Sequence, residues 1–185
     1  MQPERYPNPK TAIIVALFIL LAGCVGRSVT PDQVEAESDW QGIENLTRVE
    51  NIFVASQPSQ QALMVARERG VGIVVNLRGP DEELGFDEAA AAEAAGLDYY
   101  QVPVLGSEGL DKSAMVRVSQ LVEAAGDAPV LVHCSSGNRV AGWLAVHLVE
   151  NRNMTADESL NVARAAGLTK PGLESSVRAM LEKSQ

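Results

Sequence analysis

The chain has 185 residues and a formal net charge of −9, with 24 acidic and 15 basic side chains. Binding to nucleic acid needs a basic stripe that neutralises phosphates, and this composition argues against one. The chain is long enough for a single domain with a substantial core. No group of histidine, cysteine or acidic residues has the spacing of metal ligands, so we expect neither a metal ion nor another cofactor.

The segment 1–23 has the pattern of a bacterial export signal. Arg5 and Lys10 precede an apolar run, TAIIVALFILLA, which is short for a membrane span but typical of a signal-peptide core. The run ends in LAGC, which resembles the lipobox of bacterial lipoproteins. The resemblance implies cleavage before Cys24 and a lipid on that cysteine. An ordinary signal peptide or an uncleaved anchor is the alternative.

The lipid would place the protein on the periplasmic face of a bacterial membrane, with the anchor as its only contact with that membrane. Val25 stands where an Asp often retains lipoproteins in the inner membrane, so the outer membrane is favoured. Residues 24–42 are polar and acidic with little periodicity, and we expect them to be a spacer. The folded domain is then predicted to span residues 43–185.

Strand and helix patterns alternate along the predicted domain. Runs of apolar and β-branched residues predict strands at 51–56, 71–78, 97–104 and 129–133. Apolar periodicity and capping residues predict helices at 60–69, 87–95, 111–125, 139–150, 155–166 and 171–183. Strands that alternate with helices favour an α/β fold with a mostly parallel sheet covered on both faces, here with a helical C-terminal part.

The stretch VLVHCSSGNRVAGW places Cys134 between a predicted strand and a predicted helix. If Cys24 carries the lipid, Cys134 is the only free thiol and forms no intramolecular disulfide. Ligands of α/β folds bind beyond the carboxyl ends of the strands, where helix N-termini point. The turn that would bind an oxyanion through its backbone N–H groups consists of Ser135, Ser136, Gly137 and Asn138. Arg139 could close this cradle with its guanidinium, and the positive surroundings would stabilise a thiolate.

A nucleophile inside an oxyanion-binding loop is compatible with acyl, phosphoryl or sulfur transfer. A structural role for Cys134 is the alternative, since cysteine is often buried, but the turn that follows it leads to the surface and favours a reactive thiol. His133 could act as a general base, but strand alternation points it away from the face of Cys134. We expect His133 to hold the loop through hydrogen bonds, Trp143 to be a core residue, and His147 to be an ordinary packed or surface histidine.

Phosphoryl transfer also needs an acid that protonates the leaving oxygen. Two loops that follow strands carry carboxylates, Asp81, Glu82 and Glu83 in the first and Glu108 and Asp111 in the second. Each of them could instead be a solvated loop charge, and Asp111 could cap the following helix. Glu83, Glu108 and Asp111 are the predicted candidates for the acid.

Five sequence blocks occur in the order VASQPS, VVNLRGPDEE, GLDYYQVPV, PVLVHCSSGNRVAGW and SLNVARAAGL. Together they resemble a bacterial phosphatase-like domain family, related to dual-specificity and tyrosine phosphatases, that also occurs fused to a beta-lactamase-like hydrolase or to a NAD kinase. The resemblance covers roughly residues 43–168. It implies a three-layer cysteine-phosphatase fold with a parallel sheet of four or five strands between helices. It also implies that Cys134 forms a phosphocysteine while Arg139 and the loop amides hold the phosphate.

The loop departs from the tyrosine phosphatases in two ways. Four residues separate Cys134 from Arg139, where tyrosine phosphatases have five, although the shorter spacing is usual for the bacterial family. Val140 stands where they often have a hydroxyl that assists release of the thiolate. A short cysteine loop also resembles the rhodanese-type sulfurtransferases, which carry a persulfide, and a non-catalytic module that binds oxyanions or phosphoproteins is a third possibility. The resemblance favours a phosphatase acting on a phosphorylated protein or small molecule; it names neither the substrate nor the oligomeric state.

Overall fold

The computed structural model describes residues 28–83, 85–106 and 109–183. The predicted signal peptide and the predicted lipid attachment at Cys24 lie outside these residues, and so does Glu108. None of the helices in the described ranges is long and apolar enough to cross a membrane.

The predicted strands and helices are all present, with ends that differ from the prediction by a few residues. The strands are β1 (Glu35–Ala36), β2 (Leu46–Val49), β3 (Ile52–Ala55), β4 (Ile73–Asn76), β5 (Asp98–Gln101), β6 (Leu105–Gly106), β7 (Gly109–Leu110) and β8 (Val130–His133). The helices are α1 (Gln60–Glu68), α2 (Glu88–Ala94), α3 (Lys112–Ala124), α4 (Asn138–Arg152), α5 (Ala156–Ala165) and α6 (Pro171–Glu182). The sequence did not predict β1, β2, β6 and β7, because these short strands lack a continuous apolar run.

The main sheet has six strands in the order β1-β2-β3-β8-β4-β5. Strands β3, β8, β4 and β5 are parallel, and β1 and β2 continue the sheet antiparallel to β3. The α/β fold with a mostly parallel sheet is therefore confirmed, and the expected strand number of four or five is corrected to six. Strand β8 lies inside the parallel part, so the residue that follows it emerges at the centre of the carboxyl edge of the sheet.

The two faces of β8 pack against different helices. Val130 and Val132 belong to an apolar cluster with residues of α3, α4, α5 and α6, and Leu131 belongs to a second cluster with residues of α1 and α2. This separation follows from the alternation of side chains along a strand. It produces the predicted three layers, with the sheet between two sets of helices.

Helix α4 is buried along most of its length because it contacts β3 and β8 on one side and α3, α5 and α6 on others. Trp143, as predicted, and His147 are fully buried in it. The indole Nε1 of Trp143 donates to the carbonyl oxygen of Met115 at 3.1 Å, and Nδ1 of His147 lies 3.1 Å from Oγ of Ser119. Both histidine and tryptophan are therefore part of the core.

The segment predicted to be a spacer packs on the domain. Strand β1 pairs with β2, and the side chains of Val29 and Trp40 are buried. The ring of Trp40 lies 4.8 Å from that of Phe53 and 5.2 Å from the guanidinium carbon of Arg69. The predicted domain boundary at residue 43 is therefore wrong, because a segment of polar composition still buries two large apolar side chains. Burial of a side chain such as Val29 contributes about 1.5–3 kcal/mol to stability.

Candidate active site

The loop predicted as an oxyanion cradle joins the end of β8 to the start of α4. Gly137 precedes the helix with φ of +86°, a conformation that favours glycine, so the chain can turn sharply here. The first backbone N–H groups of a helix have no partner within the helix, and the helix dipole makes this end positive. The loop thus combines free N–H donors with a positive field, as expected for an anion site.

The side chain of Cys134 lies at the base of this loop and is 1% exposed. The backbone N–H of Gly137 donates to Sγ of Cys134 over 3.2 Å, and the backbone N–H of Cys134 donates to the carbonyl oxygen of Ala55 at 3.3 Å. Burial alone would fit a purely structural role for this thiol. However, a donated N–H stabilises sulfur most when the sulfur is a thiolate, because hydrogen bonds to charged acceptors are the stronger ones.

Arg139 is held above the loop by Glu82. Its Nη1 and Nη2 donate to the two carboxylate oxygens of Glu82 at 2.5 and 2.7 Å, and Nη2 also donates to Oγ of Ser135 at 3.2 Å. These hydrogen bonds with Arg139 lower the pKa of Glu82 to about 2 and raise the pKa of Arg139. Interactions with Cys134 also contribute to the raised pKa of Arg139, so the guanidinium lies close to the thiol as well as to Glu82.

A second arginine, Arg78, anchors the loop that carries Glu82. Arg78 is 8% exposed, and its guanidinium donates to Oε1 of Gln57 at 2.6 Å, to Oε2 of Glu82 at 3.3 Å and to the carbonyl oxygen of Glu83 at 2.5 Å. The N–H of Gly79 donates to Oε1 of Glu82 at 2.8 Å. Two hydrogen bonds from Arg78 and one from Gly79, in addition to those from Arg139, therefore hold this acidic loop in one conformation.

The acidic residue that contacts Arg139 is Glu82, which was not among the predicted acids. Glu83 contributes its backbone carbonyl to the loop while its side chain is exposed. Because the pKa of Glu82 is about 2, its carboxylate is ionised at neutral pH and suits a counter-ion better than a proton donor. Three adjacent acidic residues look equivalent in the sequence, and only the turn between Gly79 and Glu82 decides which one faces inward.

Asp111 adopts the alternative role considered for it. Its Oδ1 accepts from the backbone N–H of Ser113 at 2.8 Å, from the hydroxyl of Ser113 at 2.7 Å and from the N–H of Ala114 at 3.1 Å, which caps α3. These hydrogen bonds, that from the Ser113 hydroxyl first, lower the pKa of Asp111. Neither Glu83 nor Asp111, the two predicted acids that the structure describes, lines the cleft.

His133 lies on the opposite face of the sheet from Cys134, as strand alternation predicts. It is fully buried, and its Nε2 is 3.1 Å from Oε1 of Glu88, although neither ring nitrogen has a partner in hydrogen-bond geometry. The imidazole therefore contacts a buried carboxylate rather than holding the loop by hydrogen bonds, which corrects the expectation. Its position on the far face also argues against a general base for Cys134.

Glu88 is the centre of a polar network that sequence reasoning missed. This carboxylate is 1% exposed and accepts from Nε2 of Gln57 at 2.8 Å, Nδ2 of Asn76 at 2.9 Å and the hydroxyl of Tyr99 at 3.1 Å. Burial, first among several causes, raises the pKa of Tyr99 to about 12. The available signal was the placement of polar residues, such as Asn76, in apolar runs, where a buried side chain needs a partner.

Asn138 ties the loop to the connection between α5 and α6. Its Oδ1 accepts from the backbone N–H groups of Thr169 and Lys170 at 2.8 and 2.9 Å. The side-chain oxygen is therefore committed to this tie, and the predicted contact with an anion would come from an N–H group of Asn138. Ser136 forms an isolated bridge with Ser56, and the carbonyl oxygen of Ser135 accepts from the N–H of Gln57 at 3.5 Å.

A cleft of about 350 Å³ opens above the loop. Its base consists of Ser135, Ser136, Asn138 and Arg139, and its sides consist of Glu82, Leu105, Lys170 and Leu173. A larger groove of about 760 Å³ runs between α1 and α2, but no nucleophile lines it. Four of the five residues predicted to bind the oxyanion thus line the smaller cleft, whereas Gly137 and the buried Cys134 lie beneath its lining.

A family model for the phosphatase-like domain of beta-lactamase hydrolase-like protein matches residues 45–149. A beta-lactamase hydrolase-like protein from Xylella fastidiosa is 34% identical over 122 residues, which cover 64% of this chain and 28% of that protein. The chain therefore matches little more than a quarter of the length of this relative.

Two solved structures share the fold. TpbA from P. aeruginosa superposes with a TM-score of 0.66 at 20% identity, over 84% of this chain and 92% of that one. A DUF442 phosphatase from Shewanella putrefaciens superposes with a TM-score of 0.65 at 19% identity, over 77% of this chain and 90% of that one. The sequence resemblance to phosphatase-like domains is confirmed, and because the family model matches more than half of its length, this chain belongs to the family of the phosphatase-like domain of beta-lactamase hydrolase-like proteins.

Proposed function

We propose that this protein is a cysteine-dependent phosphatase that hydrolyses phosphate monoesters through a phosphocysteine on Cys134. The observation that carries the proposal is the 3.2 Å hydrogen bond from the N–H of Gly137 to Sγ of Cys134, at the positive end of α4. A merely packed thiol does not need this donor, whereas a thiolate nucleophile does. Arg139, fixed by Glu82 at the same loop, supplies the cation that a phosphate requires.

In the first step, the phosphate binds the loop N–H groups and the guanidinium of Arg139. The thiolate of Cys134 attacks phosphorus, a sulfur–phosphorus bond forms, and the bond from phosphorus to the leaving oxygen breaks. In the second step, water attacks phosphorus, the sulfur–phosphorus bond breaks and inorganic phosphate leaves. Val140 offers no hydroxyl for that second step, so the N–H of Gly137 is the group that stabilises the departing thiolate.

We assign protonation of the leaving oxygen to the segment 105–111, because Leu105 at its start lines the cleft. Glu108 and Asp111 are its two carboxylates. Asp111 is engaged in capping α3, which makes Glu108 the stronger candidate. Glu83 is the weakest of the predicted acids, since its side chain is exposed beside the cleft rather than lining it.

The first experiment is hydrolysis of phenyl phosphate by the reduced protein, with Cys134→Ser and Arg139→Lys in parallel. We expect turnover in the wild type, none in Cys134→Ser, and a loss of about a hundredfold or more in Arg139→Lys, because Lys cannot reproduce the planar fork. Lys183→Met, on the surface at the end of α6, is the matched control and should keep full activity.

The alternatives give different results in the same preparation. A sulfurtransferase would not hydrolyse phenyl phosphate and would gain the mass of one sulfur on Cys134 after treatment with thiosulfate. A binding module would bind phosphate without turnover, equally well in the wild type and in Cys134→Ala. Either result in protein shown to be folded and reduced would contradict the phosphatase.

We also propose that a lipid on Cys24 anchors the protein at the periplasmic face of a membrane, with the outer membrane favoured. Ser28 lies beside Arg48 and Glu50, at the end of the sheet opposite to the carboxyl edge where Cys134 follows β8. Four residues reach at most about 14 Å, so this arrangement would keep the active site directed away from the bilayer. Cys24→Ser should release the protein from the membrane fraction, and its retention there would contradict the lipid anchor.

A further inference from the structure

The cleft above the loop contains a second cation that binding of one phosphate does not require. Lys170 lines the cleft together with Arg139, but it lies on the connection between α5 and α6 rather than on the loop. The two cations thus approach a bound ligand from different elements of the fold. A phosphate held by the loop would leave the ammonium group of Lys170 for another part of the substrate.

The position of Lys170 is set by the catalytic loop itself. Its backbone N–H donates to Oδ1 of Asn138 at 2.9 Å, next to the corresponding bond from Thr169 at 2.8 Å. Asn138 is buried, with 7% of its surface exposed, and immediately precedes Arg139. A surface lysine on a free loop would not need this tie, which holds the backbone of Lys170 in a fixed place relative to the start of α4.

Lys170 forms no salt bridge within the part of the chain that the structure describes. Glu174, in the first turn of the same helix, is engaged by Arg164 through both of its oxygens, at 3.1 and 2.5 Å. Glu82 is the only carboxylate lining the cleft among the described residues, and it is occupied by Arg139 and Arg78. In a chain with a net charge of −9, a cation in the cleft without a carboxylate partner is available to an anion of the ligand.

The space between the two cations is small and partly apolar. The side chain of Leu105 is 43% exposed, and Leu173 lines the same cleft. At about 350 Å³, the cleft is near the lower limit of small-molecule sites, which start at about 300 Å³. This volume holds a phosphate together with a compact body, such as one aromatic ring.

We infer that the substrate is a compact phosphate monoester whose leaving group carries a second negative charge, a carboxylate or a further phosphate, and that Lys170 binds this charge. The inference rests on the proposed phosphatase function and adds the substrate class to it. Lys170 is then a residue that determines specificity, and Leu105 and Leu173 contact the apolar body between the two anionic groups.

The test compares phenyl phosphate, 3-carboxyphenyl phosphate and 1,3-phenylene bisphosphate. We expect the wild type to prefer the two substrates that carry a second anionic group, and Lys170→Met to reduce that preference in kcat/KM by about fivefold, the value of one partly exposed ion pair. Lys170→Arg should keep most of the preference, and Lys183→Met should leave it unchanged. The bisphosphate and the carboxylate distinguish the two possible sources of the second charge.

Equal losses of Lys170→Met on all three substrates would overturn the inference while leaving the phosphatase intact. Absence of turnover of every substrate would instead contradict the phosphatase. Binding to Cys134→Ser, measured by calorimetry, separates these cases because it needs no turnover. The Lys170 site is supported if Cys134→Ser binds 3-carboxyphenyl phosphate more tightly than phenyl phosphate and if this difference disappears in the double variant Cys134→Ser, Lys170→Met. Equal binding of both ligands to Cys134→Ser overturns it.

Discussion

The two faces of β8 support the loop of Cys134 and Arg139 in different ways. Cys134 continues the face whose side chains pack in an apolar cluster with α3 to α6. His133 faces the other side, where Glu88 binds Gln57, Asn76 and Tyr99 in a buried polar network. Apolar packing is not directional, whereas hydrogen bonds have preferred distances and angles. Both faces therefore contribute to stability, and the second also fixes the positions of side chains that lead to the loop.

The polar face reaches Arg139 through a continuous series of contacts. Gln57 donates to Glu88 and accepts from Arg78, and Arg78 donates to Glu82, which binds Arg139. The buried carboxylate and the cleft are thus linked by side chains of defined orientation. Changes on the apolar face should consequently lower stability alone, whereas changes along the polar series of contacts should also lower activity.

Removal of the buried carboxylate should have the largest effect. Glu88→Ala leaves the donors of Gln57, Asn76 and Tyr99 without their acceptor inside the protein. We expect the free energy of unfolding to fall by about 3–5 kcal/mol, as measured by urea denaturation. Glu93→Ala, at an exposed position of the same helix, should change it by less than about 0.5 kcal/mol. If Glu88→Ala and Glu93→Ala lowered the free energy of unfolding equally, the polar network would contribute nothing to stability.

On the apolar face, Leu144→Ala should cost stability without altering chemistry. Leu144 is fully buried in α4, and loss of such a side chain leaves a cavity that lowers the free energy of unfolding by about 3 kcal/mol. We expect kcat/KM per folded molecule to stay within about twofold of the wild type, from assays well below the melting temperature. Met64→Ala, exposed on α1, is the control. A large drop in kcat/KM would contradict the division between the faces.

The buried histidine of the apolar face should make stability depend on pH. Burial lowers the pKa of His147 from 6.5 to about 4, so the folded state resists a proton that the unfolded state accepts. Stability is fully present above pH 6.5 and should fall by about 2 kcal/mol at pH 5 and by about 3 kcal/mol as the pH drops toward 4. Unfolding by urea between pH 7 and 5 should show this slope, before most carboxylates titrate. His147→Gln should flatten it, and an unchanged slope would contradict the assignment.

Removal of Arg78, which links the polar network to the cleft, should have the smallest effect in free energy and should lower the rate of hydrolysis. Arg78→Met removes the hydrogen bonds to Gln57, Glu82 and Glu83. The carboxylate of Glu82, which binds Arg139, is then held less firmly. We therefore expect kcat/KM for phenyl phosphate to fall about tenfold, equivalent to about 1.4 kcal/mol. Arg67→Met, at an exposed site on α1, should retain wild-type kinetics. Unchanged kinetics in Arg78→Met would show that the network does not position Arg139.

Much of the fold could be predicted because its elements depend on local patterns. Continuous apolar runs marked β3, β4 and β8, and the capping box of Thr155 and Glu158 at the start of α5 is present as expected. Strands β1 and β2 could not be predicted, because their pairing depends on residues distant in the chain. The burial of Val29 and Trp40 was missed for the same reason, since composition says little about a pocket formed by other elements.

The amino-acid sequence by itself determined the order of the elements, the family, and the placement of Cys134 and Arg139 on one loop, since these depend on neighbours along the chain. The tertiary structure alone decided that Glu82 rather than Glu83 meets Arg139. It also decided that Glu88 is buried behind the loop and that Lys170 shares the cleft. Which polar side chains meet depends on how distant segments pack, and the sequence carries no local signal of such contacts.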